Sequence, residues 1–396
     1  MERHRLMERY RPALTGITIA LVGFGSSFAV VLTGLQAVGA SAGQAASGLI
    51  VLCLAQAAGM IFLAYRYRRP LTLAWSTPGA ALLASTGSGG YGWSEAVGAF
   101  VVVGLLILLT ALWPALGRAV GAVPAPVAQA MLAGVLFSLC LAPVEALFGD
   151  PLWIAPLVLI WVVMQRWLPV FSAPVVFAAA LLLIAVELPW GSQISTATLL
   201  PRLEFVLPEF TGAAIVGLAL PLYLVTMASQ NVPGAAVISS YGYRVPWRGA
   251  LTVTGLGTVA GAAAGGHGVN LAAITAALGA GEEAHRDPAQ RWRATAVAGW
   301  VYALLALCAS ALTVMATHAR PGLLETVAGL ALLSTLATSV SAATSEPAAR
   351  IPAAAAFLVA ASGITALGIG AAFWALLAGL VLWWVFVPRG RASVAD

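Results

Sequence analysis

From Gly16 to Val387 the chain is built of long apolar runs joined by short polar connections. A membrane-crossing helix needs roughly 20 mostly apolar residues, and about fourteen runs approach that length, some broken by Gly and Pro. They cover 14–34, 44–65, 70–86, 94–116, 124–142, 152–167, 172–188, 210–229, 249–264, 266–280, 294–317, 321–341, 347–362 and 365–387. The pattern predicts an all-α polytopic membrane protein of about fourteen transmembrane segments. Of the two longest polar connections, 189–209 and 281–293, the second reads GEEAHRDPAQRWR and is the only dense run of charge. Such a run is a solvated loop.

The apolar pattern also repeats at long period. Pro12-Ala-Leu-Thr15-Gly16-Ile-Thr-Ile19 returns about 195 residues later as Pro208-Glu-Phe-Thr211-Gly212-Ala-Ala-Ile215. Pro126 with Ala133-Gly134 returns as Pro321 with Ala328-Gly329, and Gly59 answers to Gly261, in the same order. Each half then holds about seven segments, and an odd number brings the second half into the membrane from the opposite face. Inverted repeats are a recurrent transporter plan, with the substrate near the midplane at broken helices.

Residues 72–83, TLAWSTPGAALL, place Ser-Thr-Pro-Gly where an ordinary membrane helix carries Leu or Val. Thr72 to Trp75 favours strand, and Pro78 disfavours helix at Thr77. Ser76 or Thr77 then serves as an N-cap, with Pro78 at the first helical position and good helix formers from Ala80 to Ser85. The tenth run has the same plan. Gly265-Gly-His267-Gly-Val-Asn270 is poor helix, and Asn270 is an N-cap candidate for a helix over Leu271–Leu278. With the halves inverted, two half-helix N-termini meet near the bilayer centre. Irregular backbone at that depth has to line a cavity, and helix N-termini attract anions. A proline kink held by neighbouring helices is the alternative for either segment alone.

Composition sharpens this picture. The 396 residues are 61% hydrophobic and 8% charged, whereas soluble domains carry about 25% charged residues. Net charge is +5, yet all 19 basic residues are arginines, and only Arg202 and Arg320 fall on the outer side when the N-terminus is placed inside. That skew is the positive-inside rule, so the basic balance reports topology and not a nucleic-acid partner. MERHRLMERYRP lacks the apolar core of a signal peptide and reads as a cytoplasmic tail. The three cysteines, Cys53, Cys140 and Cys308, lie in apolar runs without paired or metal-type spacing. No metal or cofactor is expected. There is no P-loop, HExxH, CxxC or nucleophile elbow, which argues against ATP-driven transport and against an enzyme.

Candidate chemistry gathers at the broken segments. Ser76, Thr77, Pro78 and Gly79 would hold an anionic group, with Asn270 opposite. The eighth run ends Ser229-Gln230-Asn231-Val-Pro-Gly234, whose carboxamides could orient a ligand or act as hydrogen-bond glue between helices. His267 is the one histidine inside a run and is a proton-carrier candidate, or else a neutral structural donor. Glu325, about a turn into the twelfth run, is the most embedded carboxylate and the second proton candidate, unless the run begins later and leaves it at the interface. Phe28, Trp75 and Tyr223 could wall an aromatic ring or simply pack the core. Gly257, Gly261 and Gly265 form a close-packing face.

At TLAWSTPGAALL, TMASQNVPG and PAPVAQAMLAGVLF the sequence resembles the benzoate/proton symporter family, BenE, over essentially its whole length. The resemblance implies a branch of the nucleobase/ascorbate permease fold, also used by sulfate-type anion carriers, with about fourteen segments in two inverted repeats. It implies core-domain pieces at 1–117 and 208–318 and gate-domain pieces at 118–207 and 319–396. It further implies short strands in segments three and ten, a bacterial inner-membrane location with both termini cytoplasmic, and a possible homodimer through the gate domain. Nucleobase permeases carry acidic ligands in segments eight and ten, whereas the matching stretches here offer Ser229, Gln230, Asn231, His267 and Asn270. The function expected is import of benzoate or a similar aromatic carboxylate coupled to protons, by elevator-like alternating access. A nucleobase or other small-anion permease of the same fold is the alternative, and a channel a third.

Overall fold

The computed structural model describes residues 2–86, 91–188 and 199–387. Arg389, Arg391 and residues 189–198 of the 189–209 connection lie outside the described residues. The first half contains α1 (Glu2–Gly25), α2 (Phe28–Ala37), α3 (Ala42–Tyr67), β1 (Leu73–Trp75), α4 (Thr77–Thr86), α5 (Trp93–Leu112), α6 (Pro114–Gly121), α7 (Ala125–Gly149), α8 (Pro151–Trp167) and α9 (Ser172–Glu187). The second half contains α10 (Gly212–Ser240), α11 (Trp247–Ala262), β2 (Val269–Leu271), α12 (Ala276–Ala280), α13 (Trp292–Thr317), α14 (Leu323–Ala343), α15 (Arg350–Ala361) and α16 (Ala371–Phe386). Eight spans among the described residues are long and apolar enough to cross a membrane, and three shorter apolar helices accompany them. The protein is a helical, polytopic membrane protein.

Local chemistry sets the breaks. The first apolar run is two helices: the backbone leaves helical geometry at Ser27 (φ −142°), whose Oγ donates to the Gly23 carbonyl at 2.9 Å and accepts Trp75 Nε1–H at 2.7 Å. A capping box starts α3: Ser41 Oγ accepts Gln44 N–H at 3.2 Å, and Gln44 Oε1 accepts Ser41 N–H at 2.9 Å. α10 carries two π turns, Ile215–Ala219 and Met227–Asn231. Each directly precedes a residue followed by proline, Leu220-Pro221 and Val232-Pro233. A proline cannot donate to the carbonyl four residues back, and a widened turn accommodates that loss.

At the centre β1 and β2 pair antiparallel, Leu73 with Leu271, Ala74 with Asn270 and Trp75 with Val269. The ladder extends at both ends, through Ser76 N–H to Gly268 O (3.1 Å) and Ala272 N–H to Thr72 O (3.0 Å). Two non-helical stretches thus satisfy each other's backbone inside the protein, which is what an irregular segment in a membrane requires.

The strands therefore stand where segments three and ten suggest, but the helix after β2 does not. Leu271 belongs to the strand, and Ala272 is held by the Thr72 carbonyl, so no helix can begin at Leu271. α12 starts only at Ala276 and has five residues. Asn270 is consequently mid-strand and not an N-cap.

Candidate functional site

The site grows from the junction of β1 and α4. Ser76 caps the helix: its Oγ accepts Gly79 N–H at 3.2 Å, and its carbonyl accepts Ala80 N–H at 2.8 Å. Thr77 is the first helical residue and Pro78 the second, where a missing N–H is harmless. Gly79 N–H is occupied by Ser76 Oγ, Ser76 N–H by Gly268, and Pro78 has none. Thr77 thus carries the remaining first-turn N–H at the positive end of a ten-residue helix. The half-helix α12 is too short to add a comparable dipole, so the field at this point comes mainly from α4.

A cavity of about 370 Å³ lies against this helix start, within the size range of small-molecule sites. Pro78 forms one part of its wall, and Ser229, Gln230 and Pro233 of α10 form another. Ala273 and Ile274, just after β2, close a third side. Opposite them stand Gln129 and Leu132 of α7, and Ser334, Thr335, Thr338 and Ser339 of α14. The lining holds two carboxamides, five hydroxyls and several apolar side chains, with no charged group. Such a surface offers neutral hydrogen-bond donors to an anion and apolar contact to a ring.

The cavity brings together Pro78, Ser229 and Gln230 from the sequence-derived candidates. Ser76 sits directly behind it, fully buried, with Oγ 2.7 Å from Thr226 Oγ1. Asn231 is committed elsewhere: its Oδ1 accepts Leu271 N–H at 3.0 Å, and its Nδ2 faces Met227 Sδ at 3.3 Å. Asn270 donates from Nδ2 to the Leu271 carbonyl at 2.8 Å, and its Oδ1 is buried without a partner.

His267 is fully buried behind Ser76 and does not line the cavity. Its Nε2 is 3.0 Å from the Ser76 carbonyl, so the proton is on Nε2, and Nδ1 remains a buried acceptor without a partner. The Phe100 ring stands edge-on to the imidazole at 6.3 Å.

Four candidates, Glu325, Phe28, Trp75 and Tyr223, stand outside the cavity lining. Glu325 does not line the cavity: Gly322, with φ 82°, sets the start of α14 at Leu323 and leaves Glu325 exposed in its first turn. There the carboxylate complements the helix N-terminus. It lies nine residues before Ser334, roughly 13 Å along the axis at 1.5 Å per residue. Phe28 and Trp75 belong to an aromatic cluster with Phe24 and Phe177, at ring separations of 5.1–5.5 Å for the closest pairs. Tyr223 is turned away to hydrogen-bond Thr110 Oγ1. No aromatic side chain lines the cavity, because in this core the rings pack against one another.

The wall formed by α7 and α14 was missed by the residue-by-residue reading. Its signal is present: Ser334, Thr335, Thr338 and Ser339 pair at i, i+4 within an apolar run, which puts hydroxyls on one helical face. Gln129 lies in PAPVAQAMLAGVLF, a stretch that carries the family resemblance.

Comparison with known proteins agrees with this architecture. Residues 10–385 match the model of the family BenE, described as benzoate membrane transport protein. The chain is 38% identical over 368 residues to the inner membrane protein YdcO of Escherichia coli (strain K12), covering 92% of this chain and 93% of that protein. It is 28% identical over 386 residues to the benzoate membrane transport protein of Acinetobacter baylyi, covering 96% of each. Among solved structures it matches the transmembrane domain of a cyanobacterium bicarbonate transporter, BicA, with TM-score 0.56 at 15% identity, over 94% of this chain and 97% of that one. It also matches SLC26A9 with TM-score 0.63 at 12% identity, over 96% of this chain and 65% of that one. At such identities the likeness is one of fold. These matched folds replace the nucleobase permease branch that the resemblance implies.

Proposed function

This chain belongs to the BenE family of benzoate membrane transport proteins, and on that premise we propose that it imports benzoate or a similar aromatic carboxylate together with protons. It is a membrane transporter and not an enzyme. The observation that carries the substrate reading is the uncharged, amide- and hydroxyl-lined cavity at the start of α4. A carboxylate placed there gains the α4 dipole and the Gln230 and Gln129 amides, and meets no fixed negative charge. Leu132, Pro233 and Ile274 supply apolar contact for the ring.

The shorter apolar helices, α11 and the two strand-bearing segments bring the count to about fourteen in two inverted halves. Antiparallel pairing of β1 with β2 supports that symmetry. In this arrangement α1–α5 and α10–α13 form the core, and α7–α9 and α14–α16 form the gate. The cavity lies between core and gate, so vertical movement of the core against α7 and α14 would carry the substrate across. The gate also provides the surface for a homodimer. Both termini are cytoplasmic, in the inner membrane of a bacterium. We assign proton coupling to His267, whose Nδ1 is unpartnered while its Nε2 donates to the carbonyl of Ser76, the residue that caps α4.

The test is uptake of labelled benzoate by proteoliposomes with the outside acidic. Accumulation that follows the pH gradient supports the reading, and absent or gradient-indifferent uptake removes the symport claim. The fold match to a bicarbonate transporter favours a second reading, a carrier of another small anion. Competition by bicarbonate, sulfate and uracil decides between them.

A further inference from the structure

Two further cavities adjoin at α3 and α11, and they share Phe62 and Val253. The first, about 480 Å³, is a wholly apolar groove between α3 and α11, running from Val51 and Gly261 to Phe62 and Val253. Its floor is set by the glycine face of α11: a Cβ on Gly257 would stand 3.3 Å from the Ala55 Cβ, and one on Gly261 would stand 3.5 Å from Val51. Its rim is exposed apolar surface, with Leu54, Phe62 and Leu256 each 43–55% accessible. From Val51 to Phe62 the groove spans roughly 16 Å at 1.5 Å per residue. That is about half of a hydrocarbon core of about 30 Å, or the depth of one leaflet.

The second cavity, about 600 Å³, sits where α3 ends and α11 begins. Arg244, Arg248, Trp247 and Tyr67 line it. Both arginines are exposed, and neither has an acidic partner among the described residues. The Arg69 guanidinium donates to the Arg244 carbonyl and so ties this turn to the end of α3. Trp and Tyr are the side chains that settle at the headgroup level of a bilayer. The first turn of α11 adds its own positive end to the two guanidinium groups.

An apolar channel one leaflet long, ending in unpaired guanidinium groups flanked by interfacial aromatics, has the form of one kind of molecule. We propose that this composite site binds an anionic phospholipid, with an acyl chain along the α3–α11 groove and the phosphate at Arg244 and Arg248. The glycines of α11, which the transport site does not use, then serve to leave room for the chain. Charge complementarity selects the headgroup, and the groove selects a lipid over a free anion.

The test is native mass spectrometry of the delipidated protein in neutral detergent, titrated with phosphatidylglycerol or with phosphatidylcholine of identical chains. Phosphatidylglycerol should be retained about tenfold or more tightly, since two basic side chains each favour an anionic headgroup. The double variant R244Q/R248Q should lose that preference, G257L should lose both lipids, and R166Q, at a distant helix end, should behave as the parent. Equal retention of the two lipids, or an unchanged preference in R244Q/R248Q, overturns the proposal. So does displacement of the lipid by inorganic phosphate alone, or a lipid-free dimer that G257L abolishes.

Discussion

Asn231 Oδ1 accepts the backbone N–H of Leu271 at 3.0 Å, and both residues are fully buried. This bond pins strand β2 to the π turn of α10, so Asn231 shapes the site without facing it. Removing the acceptor strands a buried N–H, at about 1–3 kcal/mol. N231A should therefore lower the thermal unfolding midpoint in detergent and reduce uptake together. Unchanged stability in N231A would mean that the amide is not the clamp described.

Gln230, one residue earlier, is the contrasting case. It lines the cavity, and its side chain makes no hydrogen bond among the described residues. A hydrogen bond to a charged group contributes roughly 1.5–3 kcal/mol, which corresponds to about 10- to 100-fold in affinity. Q230A should raise the KM for benzoate by that order while leaving the unfolding midpoint near the parent value. A loss of stability equal to that of N231A would assign Gln230 to packing.

Gly234 closes the Ser-Gln-Asn-x-Pro-Gly stretch for a steric reason. A Cβ there would stand 2.6 Å from the Ala272 carbonyl oxygen, a backbone atom already fixed through the strand pairing. Overpacking of this kind typically destabilises by about 1–3 kcal/mol. G234A should lower stability and, by pushing on Ala273 and Ile274, weaken benzoate binding as well. Retained stability with full uptake would show that α10 and β2 can part at this point.

The first broken segment was legible because its instructions are local. β-favouring Thr72 and Trp75, a capping Ser76 and an early Pro78 name a strand and a helix start without reference to neighbours. The second was legible only as a break. Leu271–Leu278 has the composition of a helix, and what denies it that helix is the Thr72 carbonyl, about 200 residues away in the chain. Whether Glu325 sits in the first turn or deeper depends on a start at 321 or 323, a margin that apolar periodicity cannot resolve but that Gly322 settles in the fold. The hydroxyls of α14 resemble ordinary helix-packing groups until α7 and α10 are seen to leave a cavity in front of them. Ring-bearing residues were the weakest guide, since Phe28 and Trp75 fill the core like any other large side chain.

At His267, positioning and proton transfer reside on different ring nitrogens. The imidazole donates from Nε2 to the Ser76 carbonyl at 3.0 Å, a task that a glutamine amide can also perform. It also presents Nδ1 as a buried acceptor without a partner, which an amide cannot use to take up a proton in the physiological range. H267Q should therefore keep the α4 cap and the cavity, and with them benzoate binding and benzoate–benzoate exchange in proteoliposomes. Accumulation driven by a pH gradient should be lost. E325Q should retain both activities, because its carboxylate is exposed at the far end of α14. If H267Q still accumulates benzoate against its gradient, His267 is a positioning residue only, and the proton travels by another group or on the substrate itself. If H267Q loses exchange as well as accumulation, the ring's contact with Ser76 is what matters, and the proton assignment falls for want of any separate effect.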